Sequence, residues 1–255
     1  MTHEYKTDRR VALDLNLMLA IPGLHYSPVT TSTQSDVKQL LEAGAQMPVV
    51  VITEEQTAGR GRLDRIWTAP PFSSVLMSVG LPLPKEHTAF ALQVGVAVRD
   101  ALAACGVAAA LKWPNDVVVE VDGRWRKLGG MLVELHRQQA VVGVGLNIDL
   151  TDAELPTADA ISCRQLGLRP RREDIIVNLV PSLEQLPAPD MLARYRERCV
   201  TIGAQVQVAR LVGEPLRGRA LAVDDEGALL VLDHSGVEHR VTVGDVQLLR
   251  PEVSG

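Results

Sequence analysis

Three arginines and a tryptophan lie close together in the stretch 54–67, which reads EEQTAGRGRLDRIW and follows an apolar run typical of a buried strand. Two of the arginines come directly after glycine, whose missing side chain lets backbone N–H groups approach a ligand closely. Arginine presents a planar, permanently charged fork that matches two carboxylate or phosphate oxygens at once. Tryptophan offers a flat face on which a base can stack. The stretch therefore predicts a loop that closes on an anion with an aromatic part, such as a nucleotide.

Other interpretations of this stretch remain open. Arg-Gly alternation is also common in solvated loops and in disordered RNA-binding tails, and short motifs often match by chance. A Walker A loop is excluded, because no Gly-Lys-Ser/Thr follows. A dinucleotide-binding fingerprint is excluded too, because charged and aromatic residues rather than an opening helix follow Gly59 and Gly61.

Two further stretches carry residues that could face a ligand. Lys112 ends a short apolar segment and precedes Trp-Pro-Asn-Asp, where the proline blocks strand pairing at the turn. Gly143 and Gly145 lie two residues apart in a predicted strand, so both face the same side of it. Because a strand loses packing where it carries glycine, we expect a group to lie against that side; a β-bulge is the alternative.

A run of small polar residues from Thr30 to Asp36 precedes a predicted helix that ends at Gly44. Thr33 or Ser35 would accept the first free N–H groups of that helix as its N-cap. The alternative is that these hydroxyls and Gln34 hydrogen-bond a polar, urea-like ring. Spacing alone favours the cap.

Strands and helices that position these residues alternate along the chain. Strands are predicted over residues 24–29, 49–52, 75–81, 125–135 and 140–148. The stretch 111–121, with a turn at Pro114, leads into a predicted hairpin turn at Asp122-Gly123. Further helices are predicted over residues 7–20, 88–105, 172–186 (interrupted at Pro181) and 189–199. From residue 203 onward, five short alternating segments separated by glycine turns predict a small antiparallel barrel. We therefore predict two domains, 1–202 and 203–255.

Composition bounds the possible classes of function. The 255 residues are 46% hydrophobic and 22% charged, as in an ordinary globular protein. A net charge of −5 argues against nucleic acid as a partner. The three cysteines and six histidines are scattered, so they predict neither a disulfide framework nor a metal site. With no secretory signal and no apolar segment of membrane-spanning length, we predict a cytoplasmic protein without a membrane partner.

Four motifs occur in order: QTAGRGRLDRIW at 56–67, KWPND at 112–116, KLGGMLVE at 127–134 and GVGLN at 143–147. Together with GDVQLLR at 244–250, they resemble biotin protein ligase over roughly residues 24 to 251. The resemblance implies an α/β (α+β) fold, in which helices pack on a mixed, mostly antiparallel sheet and a small C-terminal SH3-like β-barrel follows.

The resemblance also implies a two-step reaction that uses ATP, Mg²⁺ and biotin. The biotin carboxylate attacks the α-phosphate of ATP to give biotinyl-5′-adenylate and pyrophosphate, and a lysine of a biotin carboxyl carrier domain then attacks the mixed anhydride. Lys112 and Arg62 are the candidate catalytic residues, because charge that develops on the α-phosphoryl oxygens must be neutralised. The implied biotin contacts are Ser32, Thr33, Gln34, Gln56, Arg60, Gly61, Arg62, Lys112, Gly130, Gly143 and Gly145. The implied ATP and adenylate contacts are Arg62, Arg65, Trp67, Lys112 and Asn147. No metal ligands can be identified, and Asp116 is either an orienting partner of Lys112 or a turn residue.

Three departures from the family pattern affect these expectations. Asp64 replaces the third glycine of the arginine loop, which changes its flexibility and charge. Gln34 stands where asparagine is usual. Only about thirty residues precede Ser32, so we expect a short form without the N-terminal DNA-binding domain of repressor-type members. The oligomeric state, monomer or homodimer, cannot be read from the sequence.

Two rival functions are weighed against this one. A lipoate- or octanoate-transferring enzyme would share the fold and the carrier lysine, but it should lack the Lys-Trp-Pro-Asn-Asp stretch. A non-enzymatic regulator that only binds biotin or its adenylate should have lost Lys112 or Arg62, and both are present.

Overall fold

A computed structural model describes residues 10–63, 65–85, 87–209 and 214–249. Asp64 and Arg250, which entered the expectations above, lie outside the described residues, as do residues 7–9. The predicted N-terminal helix is wrong: the segment holds only a short 3₁₀ helix, Leu15–Met18. Tertiary contacts override its weak helical pattern, because Leu13 donates its N–H to the buried carboxylate of Glu54 and packs with Met18 in the core.

Seven strands form the large sheet in the order β1-β2-β3-β7-β6-β5-β4. Only β1 and β2 run parallel, and every other neighbouring pair is antiparallel. The predicted mixed, mostly antiparallel sheet is therefore confirmed. Its strands are β1 (Leu24–Thr30), β2 (Val49–Gln56), β3 (Ser74–Pro82), β4 (Ala110–Lys112), β5 (Asp116–Val121), β6 (Arg124–His136) and β7 (Gln139–Asn147).

Helices cover both faces of the sheet, which explains why its central strands read as continuous apolar runs. Val49 and Val51 of β2 pack with α1 (Thr33–Glu42) on one face. Val50 and Ile52 join the main core on the other face, where the remaining helices lie. Those helices are α2 (Phe90–Ala104), α3 (Arg172–Glu184) and α4 (Met191–Arg198).

The predicted interruption at Pro181 does not occur, because α3 runs through it. Proline removes the hydrogen bond to the carbonyl four residues earlier, that of Val177. Val177 is 39% exposed, so this carbonyl lies on the solvent side of the helix, where water can satisfy it.

The C-terminal strands form a five-stranded antiparallel sheet in the order β11-β10-β9-β8-β12. Antiparallel pairing is as predicted, but no ladder joins β11 to β12 within the described part of the chain, so a closed barrel is not seen. The strands are β8 (Gln205–Ala209), β9 (Leu216–Val223), β10 (Leu229–Asp233), β11 (Glu238–Val241) and β12 (Asp245–Leu248).

The two sheets share one continuous core. Buried residues of the C-terminal sheet, such as Val206 and Leu229, belong to the same apolar cluster as the large sheet. Trp113, fully buried between them, donates its indole N–H to the carbonyl of Gly227 at 2.9 Å. The division into two domains near residue 202 stays a prediction. In the ranges that the structure describes, no helix is long and apolar enough to cross a membrane.

Candidate functional site

A cleft of about 1200 Å³ opens between one face of the large sheet, the arginine loop and the edge of the C-terminal sheet. Every residue that the sequence analysis selected for biotin or ATP lines it. These are Ser32, Thr33, Gln34, Gln56, Arg60, Gly61, Arg62, Arg65, Trp67, Lys112, Gly130, Gly143, Gly145 and Asn147. Segments far apart in sequence thus contribute to one site, although the role of each residue stays a prediction.

The two glycines of β7 form part of the floor of the cleft. β7 pairs with both neighbours in unbroken register, so the bulge is excluded. A Cβ atom at Gly143 would lie 2.8 Å from Nε2 of Gln34, and one at Gly145 would lie 2.5 Å from the indole of Trp67. The predicted groups against this face are therefore these two side chains.

The start of α1 does not use its hydroxyls as caps. The N-cap residue is Ser32, whose side chain makes no cap hydrogen bond, so the predicted cap at Thr33 or Ser35 is wrong. Thr33 instead donates its N–H to Oε1 of Gln56 at 2.9 Å, and its hydroxyl lies 2.7 Å from that of Ser78. These bonds fix the polar side chains at the edge of the cleft rather than closing the helix end.

In the part of the chain that the structure describes, four polar atoms in the cleft are buried without a protein partner: the hydroxyl of Ser32, Oε1 of Gln34, Nε1 of Trp67 and Oδ1 of Asn147. The side-chain amide nitrogens of Gln34 and Asn147 do have partners: they donate to Leu132 O at 2.9 Å and to Ile161 O at 3.1 Å, respectively. Buried polar atoms in proteins are nearly always hydrogen-bonded. The remaining acceptors and donors therefore fit a polar ligand that carries its own N–H and C=O groups.

In the arginine loop (residues 59–67), the described residues on either side of Asp64 pair as the two arms of a small hairpin. Arg60 and Ile66 form an antiparallel bridge, and Gly61 donates its N–H to Arg65 O at 2.8 Å. At the base, Trp67 donates its N–H to Gly59 O at 2.9 Å. A Cβ atom at Gly59 would stand 2.3 Å from the carbonyl of Trp67, so this close approach requires glycine.

Each arginine of the loop contacts a different part of the protein. Arg60 pairs with Glu134 on β6 at 3.1 Å, and Glu134 also pairs with Lys38. Arg62 donates to Oδ1 of Asn115 at 3.1 Å. Arg65 pairs with Asp245 on the C-terminal sheet.

Arg62 is the half-buried cation of the loop. Burial lowers the pKa of its guanidinium, and the positive charge of Arg65 adds to this, while Asp116 opposes it. Arginine stays protonated despite such shifts. The site therefore contains a permanently charged donor that is only partly hydrated, which strengthens its attraction for an anion.

Two lysines share one carboxylate beside the loop. Asp116 accepts from Nζ of Lys112 at 3.3 Å and from Nζ of Lys127 at 2.6 Å. Lys127 also lies over the ring of Trp67, 5.9 Å from its centroid. This favours the orienting interpretation of Asp116 over that of a simple turn residue.

The sequence alone gives no role to Lys127, although this residue begins the KLGGMLVE motif. The hairpin turn at Asp122-Gly123 could have identified it. Counting the antiparallel register back from that turn pairs Val118 with Lys127 and brings Lys127 beside Asp116.

No group of three or more His, Cys, Asp or Glu side chains that could hold a metal ion occurs among the residues described. Asp116 is already engaged by two ammonium groups. The donor set therefore fits a Mg²⁺ that arrives with a nucleotide, because Mg²⁺ is usually bound through one or two carboxylates, substrate phosphates and water.

Known families match both parts of the chain. The profile of the Biotin/lipoate A/B protein ligase family matches residues 26–149, and that of the Biotin protein ligase C terminal domain matches residues 201–249. The Biotin--[acetyl-CoA-carboxylase] ligase of Mycobacterium tuberculosis is 37% identical over 237 residues, which cover 87% of this chain and 87% of that relative. The Bifunctional ligase/repressor BirA of Bacillus subtilis is 26% identical, over 91% of this chain and 76% of that relative.

The first profile covers ligases for two different acyl groups, and the C-terminal profile and the mycobacterial relative distinguish between them. The chain belongs to the biotin protein ligase family.

Solved structures confirm the fold. Biotin protein ligase from Aquifex aeolicus, solved in complex with biotin and ATP, superposes with a TM-score of 0.74 at 21% identity and covers 90% of this chain and 100% of its own. Biotin protein ligase from Leishmania major, in complex with biotinyl-5-AMP, gives a TM-score of 0.62 at 23% identity and covers 86% of this chain and 98% of its own. The predicted α+β fold is therefore correct.

Proposed function

We propose that this protein attaches biotin to a lysine of a biotin carboxyl carrier domain, using ATP and passing through biotinyl-5′-adenylate. Membership of the biotin protein ligase family supports this reaction. The structural observation that carries the proposal is one cleft in which three cations (Arg62, Lys112 and Lys127) lie near buried polar atoms without protein partners. The three cations can neutralise the charge of the phosphates, and the polar atoms can hydrogen-bond a neutral ring.

The biotin ring binds at the Gln34 end of the cleft. Its ureido group carries two N–H donors and one carbonyl acceptor, which match the free Oε1 of Gln34 and the free hydroxyl of Ser32. Thr33 and Gln56 hold each other through the 2.9 Å bond, so this end is formed before ligand arrives. Preorganised donors and acceptors of this kind reduce the ordering that binding requires.

The reacting carboxylate and the α-phosphate meet beside Asp116. The carboxylate oxygen forms a bond to phosphorus, the bond from phosphorus to the pyrophosphate oxygen breaks, and the electron pair leaves with pyrophosphate. Lys112, Lys127 and Arg62 neutralise two approaching anions and the charge that develops on the phosphoryl oxygens. Asp116 holds both ammonium groups in place before substrate binds.

The nucleotide lies at the Trp67 end of the cleft. The indole provides a stacking face, Asn147 provides a free amide oxygen, and Arg65 provides a further cation that lines the cleft. Mg²⁺ accompanies the polyphosphate and neutralises part of its charge.

In the second step, the amine of a carrier lysine attacks the acyl carbon of the mixed anhydride and forms an amide, and AMP leaves with the electron pair of the broken bond. The partner is thus a carrier domain of a biotin-dependent carboxylase. The absence of a nucleic-acid partner, which rests on the net charge of −5, stays a prediction, as does the cytoplasmic location.

Both rivals predict different chemistry. A lipoate or octanoate ligase would transfer an acyl group without a ureido ring and would leave the free atoms of Ser32 and Gln34 unpaired. A regulator would bind biotin without releasing pyrophosphate.

Incorporation of labelled biotin into a carrier fragment tests the proposal. We expect label on the carrier lysine only when ATP is present, unlabelled biotin to compete, and lipoate and octanoate to have no effect. A carrier fragment with that lysine changed to arginine is the control. Competition by lipoate, or binding of biotin without pyrophosphate release, would replace the proposal by one of the rivals.

A further inference from the structure

One ion pair connects the arginine loop to the C-terminal sheet. Arg65, near the end of the loop, pairs with Asp245, the first residue of β12. The side chain of Arg65 is 63% exposed and that of Asp245 is 29% exposed. Both residues line the main cleft, and together with Lys112 they also line an adjoining cavity of about 310 Å³.

The other contacts of the loop arginines remain within the large sheet. Arg60 pairs with Glu134 on β6, and Arg62 bonds to Asn115 in the turn before β5. These two contacts could persist if the loop moved with the large sheet. The pair with Asp245 differs, because it joins the loop to the second sheet across the cleft and must break if the loop moves away from that sheet.

We propose that Asp245 is a positioning residue: by pairing with Arg65 it holds the arginine loop across the cleft and slows the escape of bound biotinyl-adenylate. This inference rests on the proposed function. Retention matters chemically, because a mixed anhydride that leaves the protein reacts with water or with any exposed amine, whereas a closed loop excludes both.

The exposure of the Arg65–Asp245 pair determines how much its loss should change the release rate and how that change should depend on salt. An exposed ion pair contributes little, and its strength corresponds to an approximately two- to fivefold change in a rate that requires breaking it. Salt screens such a pair strongly, since the Debye length falls to about 3 Å at 1 M ionic strength. A purely structural role of Asp245 would not depend on salt in this way.

The test measures the release of labelled biotinyl-adenylate, formed in place from biotin and ATP and followed by rapid gel filtration. We expect Asp245→Ala to release it about two- to fivefold faster than the parent at low salt, and the two proteins to converge at 1 M NaCl. Asp245→Glu, which keeps the charge, should stay near the parent rate. Glu226→Ala is the matched control. Glu226 also pairs with an arginine, but this arginine, Arg240, lies within the C-terminal sheet on β11, the edge strand opposite β12.

Two results would overturn the role of Asp245: release at the parent rate, or faster release that persists unchanged at high salt. If Asp245→Ala did not fold, as judged by near-ultraviolet circular dichroism, Asp245→Asn would take its place. A parent protein that formed no adenylate at all would instead overturn the proposed function.

Discussion

At the scale of single residues, Asp116 fixes two cations at the end of the cleft that we propose for the reaction. Its two oxygens hold one ammonium group each, from Lys112 and Lys127. Lysine has four rotatable bonds and adopts many positions when it is free, so a fixed carboxylate partner reduces the ordering needed when an anion arrives. The negative charge of the carboxylate also offsets the repulsion between the two ammonium groups, so they can stay close together before substrate binds.

Lys112→Ala should reduce the rate of adenylate formation by about 10²–10³-fold, because one donor to the developing charge is lost. The fold should be intact, since Lys112 ends a short strand at the rim of the core. Pyrophosphate release from biotin and ATP is the measurement.

Lys85→Ala serves as the control for this variant, because Lys85 is exposed and does not line the cleft. An unchanged rate for Lys112→Ala would remove this residue from the mechanism and leave Lys127 and Arg62 to carry the charge.

The sequence predicted single residues of the site unevenly. The glycines of β7 and the arginines of the loop were informative, because the properties that matter, a missing side chain and a permanent charge, do not depend on a neighbouring residue. Thr33 and Ser35 were assigned wrongly to capping, because a hydroxyl at the start of a helix has the same appearance whether it caps or faces a ligand. Lys127 was missed because its role depends on Asp116, and only the register of a hairpin brings the two together.

At the scale of elements, β7 shapes the cleft at two positions where it has no side chain. Gly143 accommodates the side chain of Gln34, and Gly145 accommodates the indole of Trp67. These two side chains belong to opposite ends of the cleft, the one proposed for the biotin ring and the other for the nucleotide. A strand with period-two alternation thus supports two ligand sites with residues only two positions apart.

Gly143→Ala and Gly145→Ala should therefore affect different ligands. The added methyl group at residue 143 would displace Gln34 and should raise the dissociation constant for biotin about tenfold, as expected for the loss of about one hydrogen bond, while ATP binding changes less. The methyl group at residue 145 would displace Trp67, whose stacking is worth on the order of 1–3 kcal/mol, and should weaken ATP binding more than biotin binding. Calorimetry with each ligand measures both.

Each glycine variant is the control for the other, since both insert the same group into the same strand. If the two variants weakened both ligands equally, the methyl groups would be disturbing the sheet rather than two separate contacts.

The helices and strands that could be predicted are those whose local sequence alone determines the structure. The apolar runs of β2, β3 and β7 predicted strands correctly, because burial on both faces favours apolar residues at consecutive positions. The N-terminal segment failed because a long-range bond to Glu54 decides its path. Pro181 misled because the cost of a proline depends on which side of the helix is exposed, and sequence does not reveal this.

At the scale of the whole molecule, a buried ion pair ties the N-terminal segment to the sheet and the helical layer. Arg172 of α3 pairs with Glu54 of β2, and both are buried. Arg172 also donates to Val11 O at 2.7 Å and to Ser74 O at 3.3 Å. Four segments of the chain therefore meet at a single guanidinium group.

Arg172→Met should lower the free energy of unfolding by about 3–5 kcal/mol, because it leaves the carboxylate of Glu54 buried without a cation. Urea denaturation followed by circular dichroism is the measurement. A second substitution, Glu54→Gln, in the same chain should restore part of the loss by removing the unpaired charge.

Arg240→Met is the matched control. Arg240 pairs with Asp224 and Glu226 on the surface, so its removal should leave the free energy of unfolding almost unchanged. A similar small loss for Arg172→Met would mean that water reaches Glu54 once the arginine is gone.

The four polar atoms without protein partners have a consequence for how this protein exists in a cell. A folded chain that leaves hydrogen-bonding capacity unused in its interior gives up about 1–3 kcal/mol for each such group that water cannot reach. A ligand that bonds to these four atoms removes that cost, so the ligand-bound form is the more stable form of the folded protein. By mass action, its lifetime against unfolding and proteolysis should follow the supply of vitamin and nucleotide. The abundance of the enzyme would then track its own substrates without any genetic control.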